Sequence, residues 1–196
     1  MNKRVVSIVC LFIVCFILSS CGNNEEYYAP KPRGYFRIDL PDKEYKLADT
    51  LYPFTFEYPV YAYIVSDTNA LSHEYWFNIV FPEMLGALHF SYKTVQNDLY
   101  NYTEDTRTFV FKHVSMAEDI TAQEVKHPEN RVFALIYTID GTDAASPLQF
   151  YVTDSTSHFL RGAMYFSHSP NNDSIRPIID FITEDVLHMI ETLKWK

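Results

Sequence analysis

Two periods of hydrophobic and polar residues alternate along this chain, and the points where the period changes mark its elements. The first apolar block, Val5 to Leu18 (VVSIVCLFIVCFIL), is continuous rather than periodic. At about 14 residues it falls short of the roughly 20 that a bilayer-spanning helix needs. Lys3 and Arg4 precede it, which is the layout of an export signal. Beyond it, Tyr35, Arg37 and Asp39 alternate with Phe36, Ile38 and Leu40, predicting a strand closed by Pro41. Pro53 to Val65 predicts a strand interrupted at Pro59, hence an edge or a bulge. Tyr75 to Val80 and Gly86 to Lys93 predict two strands joined by a turn at Pro82–Leu85.

From Thr94 to Glu118 the period lengthens. Val95, Leu99, Tyr102, Phe109, Val110, His113 and Val114 predict one or two helices with an apolar stripe. Strand signals return at Ile120–Val125, Arg131–Ile139, Leu148–Thr153 and Phe159–Phe166, with Asp154–Ser157 as a hairpin turn. A last helix follows, with Ser174 as N-cap and Pro177 in its first turn. Ile175, Ile178, Ile179, Ile182, Val186, Met189, Ile190 and Leu193 line one side of it. Such a stripe needs a sheet to cover. The predicted class is α+β: an antiparallel sheet of about six or seven strands, with helices packed mainly on one face.

Cysteine usage sets the compartment. Cys10, Cys15 and Cys21 all lie in the leader or at its end, where Leu18-Ser19-Ser20-Cys21 matches a bacterial lipobox. The expected organisation is a signal peptide over 1–20, a lipidated Cys21 with a Pro/basic tether over 21–34, and one α+β domain over 35–196. Two or three acyl chains on one residue anchor stably. Sixteen Lys and Arg less Lys3 and Arg4 leave 14 bases against 25 acids, a formal charge of −11 for the mature chain. Such a surface disfavours nucleic acid, whose phosphates need cations.

Signals of catalysis are sparse. Seven histidines show no close metal-ligand spacing, and the five glycines are isolated, so no phosphate loop is present. No cofactor is expected. Asp154, Ser155 and His158 include nucleophile and base types, but they crowd one hairpin turn without an oxyanion-hole motif. Two stretches stand out as binding candidates. In the first, Lys31, Arg33, Tyr35 and Arg37 form a local cationic, aromatic strip. In the second, a turn that closes symmetrically sets Gln149 opposite Gly162 and Phe150 opposite Arg161. Arg161 then shares a face with Phe150 and Phe159, either buried against a carboxylate or stacked on aromatics, or else forms a hot spot for a partner.

With the lipobox, the segments PKPRGYFRIDLP, SPLQFYVTDSTSHFLRGAMYF and SPNNDSIRPIIDFITEDVLHMIETLKWK carry a resemblance. The chain resembles the GldD family of gliding-motility lipoproteins from Bacteroidetes over nearly its whole mature length. That resemblance implies a non-catalytic envelope lipoprotein serving gliding and type IX secretion. Its partners would be other envelope lipoproteins or proteins of that machinery, and its anchor a membrane lipid. The outer membrane facing the periplasm is expected over the inner membrane, since Gly22-Asn23 gives no retention signal. A strand-then-helix ending also suggests a PsbP/Mog1-like fold, an analogy of shape alone. In such bacteria Asp-Ser/Thr patterns can carry O-glycans, which marks Thr50, Ser155 and Ser174. The alternative function is a glycan- or peptidoglycan-binding module using exposed Tyr and Trp.

Overall fold

Residues 37–48, 52–66 and 75–196 are described by the computed structural model. In chain order they form β1 (Tyr45–Ala48), β2 (Phe54–Pro59), β3 (Tyr63–Ser66), β4 (Phe77–Phe81), β5 (Gly86–Thr94), α1 (Leu99–Phe111), β6 (Asp119–His127), β7 (Val132–Asp140), β8 (Leu148–Thr153), β9 (His158–Phe166), α2 (Asn172–Thr192) and β10 (Lys194–Trp195). Seven strands make an antiparallel sheet in the order β3-β4-β5-β9-β8-β7-β6, and β1-β2-β10 make a small second sheet. The α+β architecture expected from the alternation is therefore the one observed.

Period-two alternation gives the large sheet two different faces. Leu88, Phe90, Ile136, Phe150, Val152, Leu160 and Met164 point to one side, where Ile179, Ile182, Val186, Met189 and Ile190 of α2 and Phe54 and Phe56 of β2 complete the main core. Aromatic rings dominate its centre: Phe77 stacks on Phe90 at 4.6 Å, and Phe54 and Phe56 flank Phe77 at 6.3 and 5.8 Å. The opposite face carries a smaller cluster, in which Val110 of α1 covers Tyr137, Ile139 and Ala144. The shorter helix thus lies across part of the other side.

Two hairpins use the same turn. Pro82-Glu83-Met84 and Pro128-Glu129-Asn130 are single 3-10 turns, each ended by a left-handed residue, Leu85 (φ 51°) and Arg131 (φ 54°). Proline fixes the first φ and supplies no donor where none is needed. The β8–β9 loop works differently. Thr153 pairs with Phe159, so five residues intervene, and Phe150 faces Gly162 while Tyr151 faces Arg161. The symmetric four-residue closure is thus corrected by one position. Its cause is Asp154, whose Oδ1 accepts the backbone N–H groups of Thr156, Ser157 and His158 at 3.0, 2.7 and 2.8 Å. Gly162 therefore makes room for Phe150 and not for Gln149: a Cβ there would sit 2.2 Å from Phe150 Cζ.

Other expectations need revision. Arg37–Leu40 is not a strand; Arg37 pairs with Asp39 at the surface, and the first strand among the described residues begins at Tyr45. Tyr35 and Phe36 lie outside the described residues. Pro59 ends a strand outright, because the chain turns at Val60–Tyr61 and β2 and β3 enter different sheets. The stretch after β5, expected as one or two helices, holds one, which agrees with that expectation. Asn171, not Ser174, precedes α2, and Pro177 falls in its second turn. The start of α2 is held instead by the buried Asn172, whose Nδ2 donates to the carbonyls of Gly141 and Ala144 at 2.9 and 2.8 Å.

Because Phe150 occupies the space over Gly162, Gly162→Ala should lower unfolding free energy by about 1–3 kcal/mol, the range for overpacking a filled core. Adding Phe150→Leu should recover part of that loss in urea denaturation. A neutral Gly162→Ala would contradict the observed register.

Candidate functional site

On the face turned away from α2, α1 covers β8 and β9 but leaves β4 and β5 open. Between them lies a cleft of about 460 Å³, with Asn78, His89, Ser91, Lys93, Phe159 and Arg161 on the strands and Tyr102, Asp105 and Phe109 on α1. Alternation explains the floor: the pairings Asn78↔His89 and Ser91↔Arg161 put these side chains on one face.

Arg161 is the chemical centre of the cleft. Its Nη2 donates to Gln149 Oε1 at 2.6 Å, and its guanidinium lies 4.8 Å from the centre of the Phe109 ring. Burial pushes its pKa below the usual arginine range, with the Tyr165 phenol acting the other way. The buried Nε has no hydrogen-bond partner, nor does Nε2 of the fully buried Gln149. The sequence expectation for Arg161 resolves towards stacking, with Phe109 as the ring. Arg161 shares its face with Phe159 and Tyr151, whereas Phe150 points to the opposite side. Lys93 is the second cation, its Nζ 5.6 Å from the Trp76 ring centre. Gln149 and Arg161 are brought together; Lys93, Trp76 and Phe109 were not singled out from sequence. Lys93 reaches the floor by alternation on β5, and Trp76 lies just before β4, while the helix bearing Phe109 was legible but not the side of the sheet it covers.

A second polar cluster lies on the α2 side. Asp185 is 2% exposed and accepts hydrogen bonds from Lys43 Nζ at 2.6 Å, Tyr45 OH at 3.0 Å and Tyr61 OH at 2.7 Å. Lys43 also donates to the Phe181 carbonyl at 2.6 Å and sits 3.4 Å over the Phe181 ring. Tyr45 stacks on His188 at 3.7 Å, and His188 Nε2 meets Glu57 Oε2 at 2.7 Å. Burial, reinforced by the Asp185 carboxylate, pushes both phenols far above their ordinary range. The signal was present in sequence, since Asp185 is an acid set within the apolar stripe between Ile182 and Met189.

The Asp154, Ser155 and His158 trio forms no nucleophilic site. Burial alone would raise Asp154, but its backbone donors and the Thr156 hydroxyl outweigh that and hold it well below the carboxylate range. Arg131 Nη2 adds a 2.7 Å ion pair. His158 bonds Tyr92 OH at 2.8 Å and stacks on Trp195 at 4.9 Å. Ser155 is exposed, at φ 68°. Among the described residues no group of three His, Cys, Asp or Glu could hold a metal ion. Cys21, Lys31, Arg33, Tyr35 and Thr50 lie outside the described residues. Arg37 is 89% exposed and bonded to Asp39 at 2.9 Å. Ser174 is exposed and donates to Asn171 Oδ1 at 3.0 Å.

Comparison with known proteins supplies the context for these sites. The family model described as gliding motility lipoprotein GldD matches residues 25–195. The chain belongs to this family. As a GldD-family lipoprotein it is a lipid-anchored envelope protein, and no helix among its described residues is long and apolar enough to cross a membrane. No curated protein matches the chain. Among solved structures it is similar to cyanobacterial PsbP (CyanoP) from Synechocystis sp. PCC 6803, at 11% identity and a TM-score of 0.47. That match covers 82% of this chain and 98% of the other.

Two outcomes follow for this GldD-family domain. Lys43→Met leaves Asp185 charged and buried with only phenols as donors, and should cost about 3 kcal/mol in chemical denaturation. The double variant Lys43→Met/Asp185→Leu should cost less than the sum of its parts. For Asp154, a depressed folded pKa contributes stability above the unfolded value of about 4. That contribution declines by about 1.4 kcal/mol per pH unit below it. The stability gap between wild type and Asp154→Asn should therefore be constant from pH 5 to 7 and shrink from about pH 4 downwards. A pH-independent gap would overturn this assignment.

Proposed function

We propose that residues 1–20 direct export, that Cys21 carries the lipid, and that residues 21–34 tether the domain over 35–196. The domain works by protein–protein contact in the gliding and type IX secretion machinery and catalyses no reaction. Family membership supports the gliding role. The observation that carries the binding role is the Arg161 cleft, which presents cations on aromatic rings. Its partners are other envelope lipoproteins or proteins of that machinery, met at the outer membrane on its periplasmic side. Lys31, Arg33, Tyr35 and Arg37 steer an acidic surface towards the domain, consistent with the exposed position of Arg37. Thr50, Ser155 and Ser174 are candidate O-glycan acceptors, and Ser155 and Ser174 are exposed.

The test is a gliding host carrying single replacements. Cys21→Ala should release the protein from the membrane fraction and abolish spreading and secretion. Charge reversal at Lys31 and Arg33 should do the same to function without moving the thermal midpoint. Full motility with a lipid-free chain, or turnover of a substrate by the purified protein, would refute this reading.

A further inference from the structure

Arg161 is a cation with no ion-paired carboxylate among the described residues. It is half-buried, and its contacts among the described residues are an amide oxygen, an aromatic face and the neighbouring Tyr165, with no carboxylate at ion-pair distance. Desolvated charges in proteins are ordinarily paired, because an unpaired one is costly. Lys93 lines the same cleft, and both cations rest against rings, Arg161 on Phe109 and Lys93 on Trp76. Cation–π contact fixes a cation in place without neutralising it. The charged residues lining the cleft are Arg161, Lys93 and Asp105. They give a net positive hollow in a chain whose formal charge is −9.

We infer that this cleft is a docking site for an acidic segment of a partner protein, with a carboxylate seated on Arg161 and Lys93 beside the exposed ring of Phe109. Guanidinium and carboxylate match as fork to fork, which favours an acid over a neutral polar group. Two features favour a polypeptide over a sugar. The rings at the rim are engaged in holding cations, or, for Tyr102, in packing 5.4 Å from Phe159, so none is arranged as an open platform. The same sheet face continues past the cleft to exposed Tyr63 and Val65 of β3, which pair with Val80 and Asn78 and end the sheet. An extended segment anchored on Arg161 has strand surface to lie along.

This inference rests on the protein-contact reading and narrows it to one surface. The experiment uses the detergent-solubilised full-length lipoprotein and two labelled decapeptides, one of alternating Glu and Phe and one with every Glu replaced by Gln. Fluorescence anisotropy should show the Glu peptide binding about tenfold or more tighter, with affinity falling as salt rises. Lys93→Gln and Arg161→Gln should each remove that preference with unchanged thermal midpoints. Should Arg161→Gln unfold the domain, Lys93→Gln and Phe109→Ala decide the matter. Equal binding of both peptides, no binding at millimolar concentration, or a preference that survives these replacements would overturn the inference. So would displacement of the Glu peptide by neutral cell-wall glycan at lower concentration. A photo-crosslinker at His89 separates the two readings in cells. If envelope proteins co-purify with the chain but no crosslink at His89 depends on Arg161, the contact role stands and this cleft is not its site.

Discussion

The carboxylate of Asp154 gathers three successive backbone N–H groups, and that closure decides what both faces of the sheet carry. Five residues then separate Thr153 from Phe159. Side chains on a strand alternate with period two, so moving β9 by one residue would exchange its faces. In the observed register Gly162 stands opposite both Phe150 and Phe90, and the two rings meet edge to face at 5.8 Å. The same register puts Gln149, Phe159 and Arg161 together on the other side. The aromatic core and the cationic cleft are two results of one loop.

Within that arrangement Arg161 is expensive. An apolar side chain of similar volume under α1 would avoid desolvating a charge, and such replacements of buried ions are often neutral or stabilising. The Gln149 oxygen and the Phe109 ring offset part of the cost, yet Gln149 itself keeps a buried amide nitrogen unpaired. A purely structural network would be expected to satisfy its own donors. Here the donors left over belong to adjoining side chains, and one of those side chains lines an open hollow. Both leftover nitrogens are themselves buried, so they are an internal cost of the arrangement, and the case for an outside acceptor rests on the uncompensated charge.

Most strands and both helices were legible in the sequence, since their periodicity survives whatever the tertiary context. Pro82–Leu85 was legible as a turn because proline punctuates it, and Pro128–Arg131 repeats the device. Register was not legible: a turn rich in Asp, Ser and Thr says that the chain reverses but not whether four or five residues do it. Pro59 marked a disturbance, and only packing shows that it parts two sheets. The contacts of Asp185 with Lys43 and of Arg161 with Phe109 join residues 142 and 52 positions apart, a separation at which no local pattern informs. The candidate residues Gln149 and Arg161 were found through an incorrect pairing. What made them conspicuous, a long amide and a guanidinium among aromatics, did not depend on it.

The two polar clusters divide the domain's labour by side. Lys43, Tyr45 and Tyr61 close on Asp185 of α2, so the chain leading in from the N-terminal region is fixed on the face where α2 and the small sheet lie. β1 then pairs with β2, and β2 with β10 near the C-terminus, so both ends of the domain are held in one three-stranded sheet. The cleft opens on the opposite face of the large sheet. The strands that build the cleft floor are separated from the Lys43–Asp185 ion pair and the β1–β2 ladder by the core. The Asp185 cluster and the Arg161 cleft therefore occupy different surfaces, and a group seated against Arg161 would not displace the segment held at Asp185.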